Sequence, residues 1–352
     1  MKVSDFDFEL PEPLIAQVPV TPRDASRLLQ LPGEGPVQHR RFVDLPGLLR
    51  AGDLLVINDT RVIPARLVGR KASTGGKAEL LLLEPLDGEF GARWRAMGQA
   101  SRALQAGQLV QFGPLGAVVE ASHGEGFYDV RFDREGAALE SALALAGRIP
   151  LPPYIRREPG AEDAERYQTI FARSPGSAAA PTAGLHFTPG VLSALEARGV
   201  ARAAVTLHVG PGTFLPFRGE SLDEHRMHEE RYLVPEGTAL AYAACRERGG
   251  RVVAVGTTAL RTLESACHDG RLTAGPGRTS LFVRPGYRFE AVDSLVTNFH
   301  LPRTTLLVLV CALGGTERVL AAYREAVQEK YRFFSYGDAL LVERAVGVAP
   351  LD

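Results

Sequence analysis

Lysine is nearly missing from this chain of 352 residues: only Lys2, Lys71, Lys77 and Lys330 occur, so 36 of the 40 basic residues are arginine. Arginine suits bidentate contacts with phosphates and stacks on bases, but so general a skew also follows from codon composition and carries no function by itself. Cysteine is as sparse. Cys245, Cys267 and Cys311 are odd in number, lie far apart, form no Cys-x-x-Cys and sit inside apolar helical patterns, which argues against a disulfide framework or a zinc site and fits a reducing cytoplasm. Neither sign of charge is in excess, with 40 Lys and Arg against 41 Asp and Glu, so any polyanion must meet a local patch. No long apolar run exists. The longest, Leu306 to Leu313, is far below the ~20 residues that span a bilayer. The opening MKVSDFDFEL carries acids where a signal peptide needs an apolar stretch, so neither export nor membrane insertion is expected. What remains is 45% hydrophobic and 23% charged, an ordinary globular composition with material for a sizeable core. The length is about twice that of a ~150-residue domain, pointing to one large barrel-like domain or to two domains.

Local patterns divide the chain. Extended pieces at Phe6–Leu10 and Leu28–Leu31 and a helical turn near Leu45–Arg50 precede Asp53–Asn58, whose continuous apolar run predicts a buried strand. From about Arg66 to Arg148 the residues alternate instead, at Glu79–Glu84, Arg93–Met97, Gln108–Phe112, Ala117–Ala121 and Phe127–Phe132, and this predicts a small all-β domain. From Pro181 onward strands and helices alternate. Helices are predicted over Pro189–Arg198, with Thr188 as N-cap, and over Glu236–Arg248, Thr257–His268, Thr305–Leu313 and Glu317–Lys330. Strands are predicted at Val200–Val209, Arg251–Gly256, Thr279–Arg284 and Ala339–Glu343, with a polar loop at Val296–Arg303. The expected class is α/β, a layer or barrel of mostly parallel strands interrupted by the β-rich insertion.

Neither a Walker loop nor the Gly-x-Gly-x-x-Gly turn of dinucleotide-binding folds is present, so a purine-containing ligand must be held another way. His225 and His228, three apart with Glu229 and Glu230 adjacent, have metal-ligand character but no identifiable third ligand, and no metal is expected. More informative are five polar loops that follow strands: Asn58–Arg61, Pro181–Thr188, His208–Phe214, Gly256–Arg261 and Thr297–Arg303. Any one of them reads equally well as a simple connection. In parallel α/β folds, however, such loops converge on ligands at the carboxyl ends of strands. Gly256-Thr257-Thr258 opens a helix after a strand, an N-terminus suited to a carboxylate or phosphate. His186, His208 and His300 are candidate proton carriers near neutral pH, Asp59 and Glu264 candidate acids, bases or hydroxyl ligands, and Phe187, Phe214 and Phe299 candidate stacking rings.

These strings, with Asp5–Pro11, Ile15–Gln17, Arg23–Leu28, Gly52–Arg66, Pro181–Thr188, Leu207–Phe214, Met227–Glu230, Gly256–Ser265, Thr297–Pro302 and Phe334–Ala339, resemble one family closely: the S-adenosylmethionine:tRNA ribosyltransferase-isomerases of queuosine biosynthesis, the QueA family. The resemblance implies a barrel-like α/β domain, here 1–65 and 149–352, with an inserted small all-β (β-barrel) domain, 66–148. It implies transfer and isomerisation of the ribosyl group of S-adenosylmethionine onto 7-aminomethyl-7-deazaguanine at the wobble position of tRNAs with GUN anticodons, with release of adenine and methionine. No metal or cofactor beyond the co-substrate is expected, and the enzyme is expected to be a cytoplasmic monomer. Within that reaction His186, His208, His300 and Asp59 are the candidate catalytic residues. Asn58, Thr182, Gly184, Gly210, Thr213, Thr257, Thr258, Glu264 and Asn298 are candidate ligands of S-adenosylmethionine. Arg61, Arg66, Arg70, Lys71, Arg156 and Arg157, at the junction of the insertion, are candidate phosphate contacts. Ribosyl transfer to a free small molecule, or a non-catalytic RNA-binding module, are the competing readings of the same loops and arginines.

Overall fold

The structure, a computed structural model, describes residues 1–160, 162–210, 217 and 219–346. It is built on a nine-stranded mixed sheet. In chain order its strands are β1 (Arg27–Leu31), β2 (Gln38–Arg41), β3 (Leu54–Asn58), β13 (Ala201–Leu207), β14 (Glu230–Val234), β15 (Val252–Val255), β18 (Gly275–Thr279), β19 (Ser294–Asn298) and β20 (Ala339–Glu343). The spatial order is β18-β14-β13-β3-β15-β19-β20-β1-β2. Among the described residues the pairings are four parallel and four antiparallel, fewer parallel ones than the sequence suggests. The parallel pairings that matter for the site are consecutive: β13, β3, β15 and β19 all run the same way.

The two innermost strands, β3 up to Ile57 and β15, are apolar and fully buried because both faces are covered. In β3, Leu54 and Val56 belong to one core with helices α5 (Glu236–Glu247), α6 (Thr257–Ala266), α7 (Thr305–Gly314) and α8 (Thr316–Gln328). Leu55 and Ile57 belong to the other, with α1 (Leu45–Leu48) and α4 (Pro189–Ala197). Thr188 caps α4 by accepting from the Val191 N–H at 3.3 Å, with Pro189 at the first helical position. Among the described residues no single helix is long and apolar enough to cross a membrane.

Between β3 and β13 the chain leaves through β4 (Thr60–Val62) and builds a second sheet from β5 (Arg66–Lys71), β6 (Lys77–Pro85), β7 (Arg93–Ala100), β8 (Leu109–Phe112), β9 (Leu115–Gly124), β10 (Phe127–Phe132) and β11 (Gly147–Arg148). Its order is β11-β5-β6-β7-β10-β9-β8, and β8 pairs back onto β5, closing a six-stranded antiparallel barrel around Trp94, Leu80, Val110 and Val130. The region is not purely β. Helix α2 (Gly136–Ala146) plugs the barrel core with Leu139, Ala142 and Leu143. The chain returns through α3 (Asp163–Arg166) and β12 (Ser174–Ser177), which pairs in parallel with β4.

Three further expectations are corrected. The strand placed at Thr279–Arg284 is β18, which ends at Thr279; Gly275, Pro276 and Gly277 mask it, and Pro is admitted because β18 is an edge of the sheet. The polar loop begun at Val296 is instead the end of a fully buried strand, because Thr297 and Asn298 hydrogen-bond to histidines. The helix begun at Thr257 stops at Ala266, and Cys267–His268 forms β16, paired with β17 (Arg271–Leu272).

Closure of the barrel depends on Gly69: a Cβ there would run into the Gln111 carbonyl on β8. Gly69→Ala should therefore lower unfolding free energy by about 1–3 kcal/mol in urea titrations, and an unchanged midpoint would show that the β5–β8 seam yields without cost.

Candidate functional site

Parallel alignment places the carboxyl ends of β3, β13, β15 and β19 side by side, and Asn58, the last residue of β3, ties them together. Its amide donates to the Leu207 carbonyl at 3.0 Å and the Thr258 hydroxyl at 3.1 Å, while its oxygen accepts from the N–H groups of Thr60 and Leu207, both at 3.1 Å. With both amide hydrogens and the oxygen engaged inside the protein, Asn58 orders the strand ends. The start of β20 lies beside the end of β19, with Asn298 opposite Ala339, so the segment Phe334–Asp338 joins the same end of the sheet.

There a small crevice of about 50 Å³ is lined by Thr182, Thr257, Thr258, Asn298 and His300, together with Tyr154, Phe334 and Ser335. Gly256, at φ 86°, leads into α6, and neither the Thr257 nor the Thr258 N–H is engaged by another group of the described chain. Thr182 donates to the Asn298 oxygen at 3.0 Å. Phe334 has φ 74°, a conformation that costs a bulky residue on the order of 1–3 kcal/mol. It is held there by hydrogen bonds of its N–H to Phe299 and its carbonyl to Asn298, and its ring meets Tyr154 edge-on at 3.8 Å between centroids. The Tyr154 hydroxyl bonds to Ser335, and burial pushes its pKa well up. Phe334 and Ser335 sit in a string singled out for its resemblance, but nothing in the text around Tyr154 marks it.

The three histidines have separate environments. His186 is buried, stacked on Phe42 at 5.1 Å, with Nδ1 2.8 Å from Ser26 Oγ and Nε2 3.0 Å from the Asn298 amide. Because that amide nitrogen also donates to the Phe334 carbonyl, the neutral ring carries its proton on Nδ1 and both nitrogens are occupied. Burial, then Arg332 and Arg23, pushes its pKa down to about 3. His300 lies in the crevice with Nε2 2.9 Å from Thr297 Oγ1, and burial pushes it down to about 3 as well. His208 is only half-buried. Its Nδ1 is 2.8 Å from Thr60 Oγ1, and burial, then Arg231, pushes it down to about 4. Its ring packs on Gly176, where a Cβ would stand 3.1 Å from Cε1, and opens onto two cavities between the barrel and the sheet, of about 340 and 730 Å³.

Other expected residues lie elsewhere. Glu264, two turns along α6 from Thr257, accepts from the N–H groups of Glu290, Ala291 and Val292 and from the Tyr287 hydroxyl; it anchors a loop outside the crevice. Gly184 is buried, with Thr169 where a Cβ would go, a packing contact and not a ligand cradle. Asp59 accepts from Thr206 at 2.6 Å, and the Gly210 N–H donates to Glu230 at 3.1 Å. Thr213 and Phe214 lie outside the described residues. Phe187 and Phe299 are fully buried in the two cores. Lys71 is buried with its Nζ on the Arg102 carbonyl at 2.7 Å, which withdraws it from any phosphate. Arg66, Arg156 and Arg157 line one open cavity, while Arg61 and Arg70 are exposed outside it. Arg66 is bound to Glu79, Arg157 to Asp163 and Arg156 to Glu12. His225 and His228 face Phe217 and Phe127, Glu229 pairs with Arg278, and Glu230 with Arg261. Among the described residues no group of three or more His, Cys, Asp or Glu gathers for a metal.

Folding keeps His186 and His300 neutral, whereas in the unfolded chain they take up protons below about 6.5. Their contribution to stability is therefore complete above that pH and is lost as pH falls from about 6.5 toward 3. A His186→Gln variant, although less stable overall, should lose about 1 kcal/mol less than the parent between pH 6 and pH 5; identical pH slopes in urea titrations would mean that His186 titrates normally in the fold.

Residues 3–342 match the family model described as "Queuosine biosynthesis protein". The S-adenosylmethionine:tRNA ribosyltransferase-isomerase of Anaeromyxobacter sp. (strain Fw109-5) is 70% identical over 345 residues, covering 98% of this chain and all of the relative. The protein of that name from Syntrophotalea carbinolica is 54% identical over 347 residues, 97% of this chain and all of the relative. Among solved structures, S-adenosylmethionine tRNA ribosyltransferase from Thermotoga maritima is 38% identical, with a TM-score of 0.55 over 96% of this chain and 99% of its own. A match that runs nearly from end to end, with the strand-end loops included, places this chain in the queuosine biosynthesis protein family.

Proposed function

We propose that the chain transfers and isomerises the ribosyl group of S-adenosylmethionine onto 7-aminomethyl-7-deazaguanine at the wobble position of tRNAs with GUN anticodons, giving epoxyqueuosine-tRNA, adenine and methionine. The observation that carries this reading is 70% identity over essentially the full length of a relative bearing that name. In this reading residues 1–65 and 149–352 form the catalytic α/β domain, whose nine-stranded sheet is open at β18 and β2 and not the expected barrel, and 66–148 the inserted barrel domain; the enzyme is a monomer acting in the cytoplasm, with S-adenosylmethionine as co-substrate and no metal.

The crevice at Thr257 and Thr258 receives the methionine carboxylate, whose charge suits two N–H groups at the start of a ten-residue helix. Thr182, Asn298 and His300 hold polar groups of the same molecule. The sulfonium makes the neighbouring C5′ hydrogens acidic, so a neutral base can begin the reaction by removing one of them. Adenine then leaves, the tRNA amine attacks, and the C5′–sulfur bond breaks with its electron pair going to sulfur, which releases methionine. Of the three histidines, His208 is best suited to accept the proton: it opens onto cavities, and Thr60 orients its other nitrogen. With a pKa pushed down to about 4, it stays neutral throughout pH 5–8. Arg61 and Arg70, both exposed, and Arg156, exposed and paired with Glu12, are the cations offered to anticodon-arm phosphates.

Incubation with S-adenosylmethionine and tRNA carrying the aminomethyl-deazaguanine should yield epoxyqueuosine by mass spectrometry, with equimolar adenine and methionine. Equal turnover of the free base would favour small-molecule transfer, and tRNA binding without adenine release would favour an RNA-binding module. His208→Ala should lower kcat by about 10²–10⁴-fold while tRNA affinity persists; full turnover in that variant would move the base elsewhere. For the parent, kcat/KM should show no acid limb from His208 down to pH 5. Affinity for tRNA should fall with added salt, roughly in proportion to the phosphates contacted, and a flat dependence would remove the arginines from the interface.

A further inference from the structure

We infer that the cavity of about 340 Å³ beside His208 is the receptacle for the acceptor base, and that Glu84 reads its guanine-type edge. The inference rests on the activity proposed above and names the group that selects its nucleic-acid substrate. The cavity is closed by two different parts of the fold. Glu84 on β6 and Phe127 on β10 come from the barrel, while His208, His228 and Arg231 come from the end of β13 and from β14 and the segment before it. Its volume is that of a site for a single nucleoside. Phe127 and His228 line it side by side, with ring centroids 6.0 Å apart and planes tilted by 36°, an aromatic wall against which a base extruded from its stack can lie.

The polar wall has a particular order. The Glu84 carboxylate stands 3.5 Å from the Arg231 Nε and 3.2 Å from an Arg278 Nη, so an anionic acceptor is flanked by cationic donors. A guanine-type edge offers two adjacent donors, the ring N–H and the 2-amino group, next to a carbonyl acceptor, and it complements a carboxylate beside a guanidinium. An adenine edge offers an amino donor beside an unprotonated ring nitrogen, which the carboxylate opposes.

Placement relative to the crevice supports the same assignment. His208 and Gly210 line this cavity, and Val209 between them lines the crevice at Thr257 and Thr258. One short segment thus borders both sites, so the donor's ribose and the acceptor amine meet beside His208.

The test measures fluorescence anisotropy of the whole protein with two labelled anticodon stem-loops, identical except for 7-aminomethyl-7-deazaguanine or adenine at the wobble position, alongside turnover of the intact tRNA. The parent should bind the first at least about 10-fold more tightly. Glu84→Gln should bring the two within about twofold of each other, raise KM for tRNA about 10-fold and leave KM for S-adenosylmethionine unchanged. Phe127→Leu, which keeps an apolar side chain on the barrel, should weaken both stem-loops about equally, by roughly 5–10-fold, through lost stacking. Unaltered discrimination in Glu84→Gln, or a parallel rise in both KM values, would overturn the assignment. The binding arm needs no turnover, so absence of epoxyqueuosine from the parent would refute the proposed reaction while the stem-loop preference still judges the cavity.

Discussion

One side chain holds the working end of the sheet in register. Asn58 closes β3 onto β13 by a reciprocal pair, its oxygen accepting from the Leu207 N–H and its amide donating to the Leu207 carbonyl, and it then reaches Thr258 at the start of α6. A polar residue in so buried a place is tolerable only when its hydrogen-bonding groups are satisfied, and here they are. The arrangement fixes where β13 ends and His208 begins, and also where the first turn of α6 starts. A hydrophobic residue of the same size would leave the backbone groups of Leu207 and Thr60 without partners in an apolar interior, at about 1–3 kcal/mol for each unsatisfied group.

Burial then sorts the three histidines by what they can do. His186 and His300 are enclosed so completely that the charged ring is strongly disfavoured. His186 also has both nitrogens committed, to Ser26 and Asn298, and through Asn298 it braces Thr182 and Phe334. His208 differs in kind, since Thr60 and Gly176 orient the ring from one side while cavities meet it from the other. The strained backbone of Phe334 belongs to the same scheme: its carbonyl faces Asn298 only because φ is positive there, and the surrounding bonds offset the cost of the conformation.

Much of this was legible in the text of the chain, and the exceptions have physical causes. The buried strand at Asp53–Asn58, the capped helix after Thr188 and the helices after Pro235 and Gly256 follow from apolar runs and from Thr, Pro and Gly at their ends. Strand β18 lies a few residues before its expected place because an edge strand accepts Gly and Pro, the residues that elsewhere signal a turn. Helix α2 was hidden by the alternating strands around it. At the site, Thr182, Thr257, Thr258, Asn298 and His300 share one crevice, since loops after parallel strands must converge. Glu264 misled because a carboxylate in a promising string says nothing of the helix face on which it falls; three backbone N–H groups of a loop far along the chain are its partners. Likewise Tyr154 gave no signal, as its place opposite Phe334 is a contact between segments 180 residues apart, and Lys71 read as a surface cation although it folds inward.

The position of the barrel over His208 follows from how the chain leaves and re-enters the sheet. A single exit strand would let the barrel swing on its tether, but exit and return are stitched together. Strand β4, leading out, pairs in parallel with β12, leading back, and the barrel's own first and last strands, β5 and β11, pair with each other at Arg66 and Arg148. Further along, Gln168 brackets Val62 by accepting from its N–H and donating to its carbonyl, and Ser177 receives the N–H of Val209. The last of these bonds joins the return strand directly to the segment between the acceptor cavity and the crevice. Because Gly176, the residue against which the His208 ring rests, lies on that same return strand, the barrel, the histidine and the sheet are positioned by one set of backbone contacts. A cavity walled from both sides keeps its dimensions only if those walls cannot move independently, and the pairing of β4 with β12 supplies that constraint.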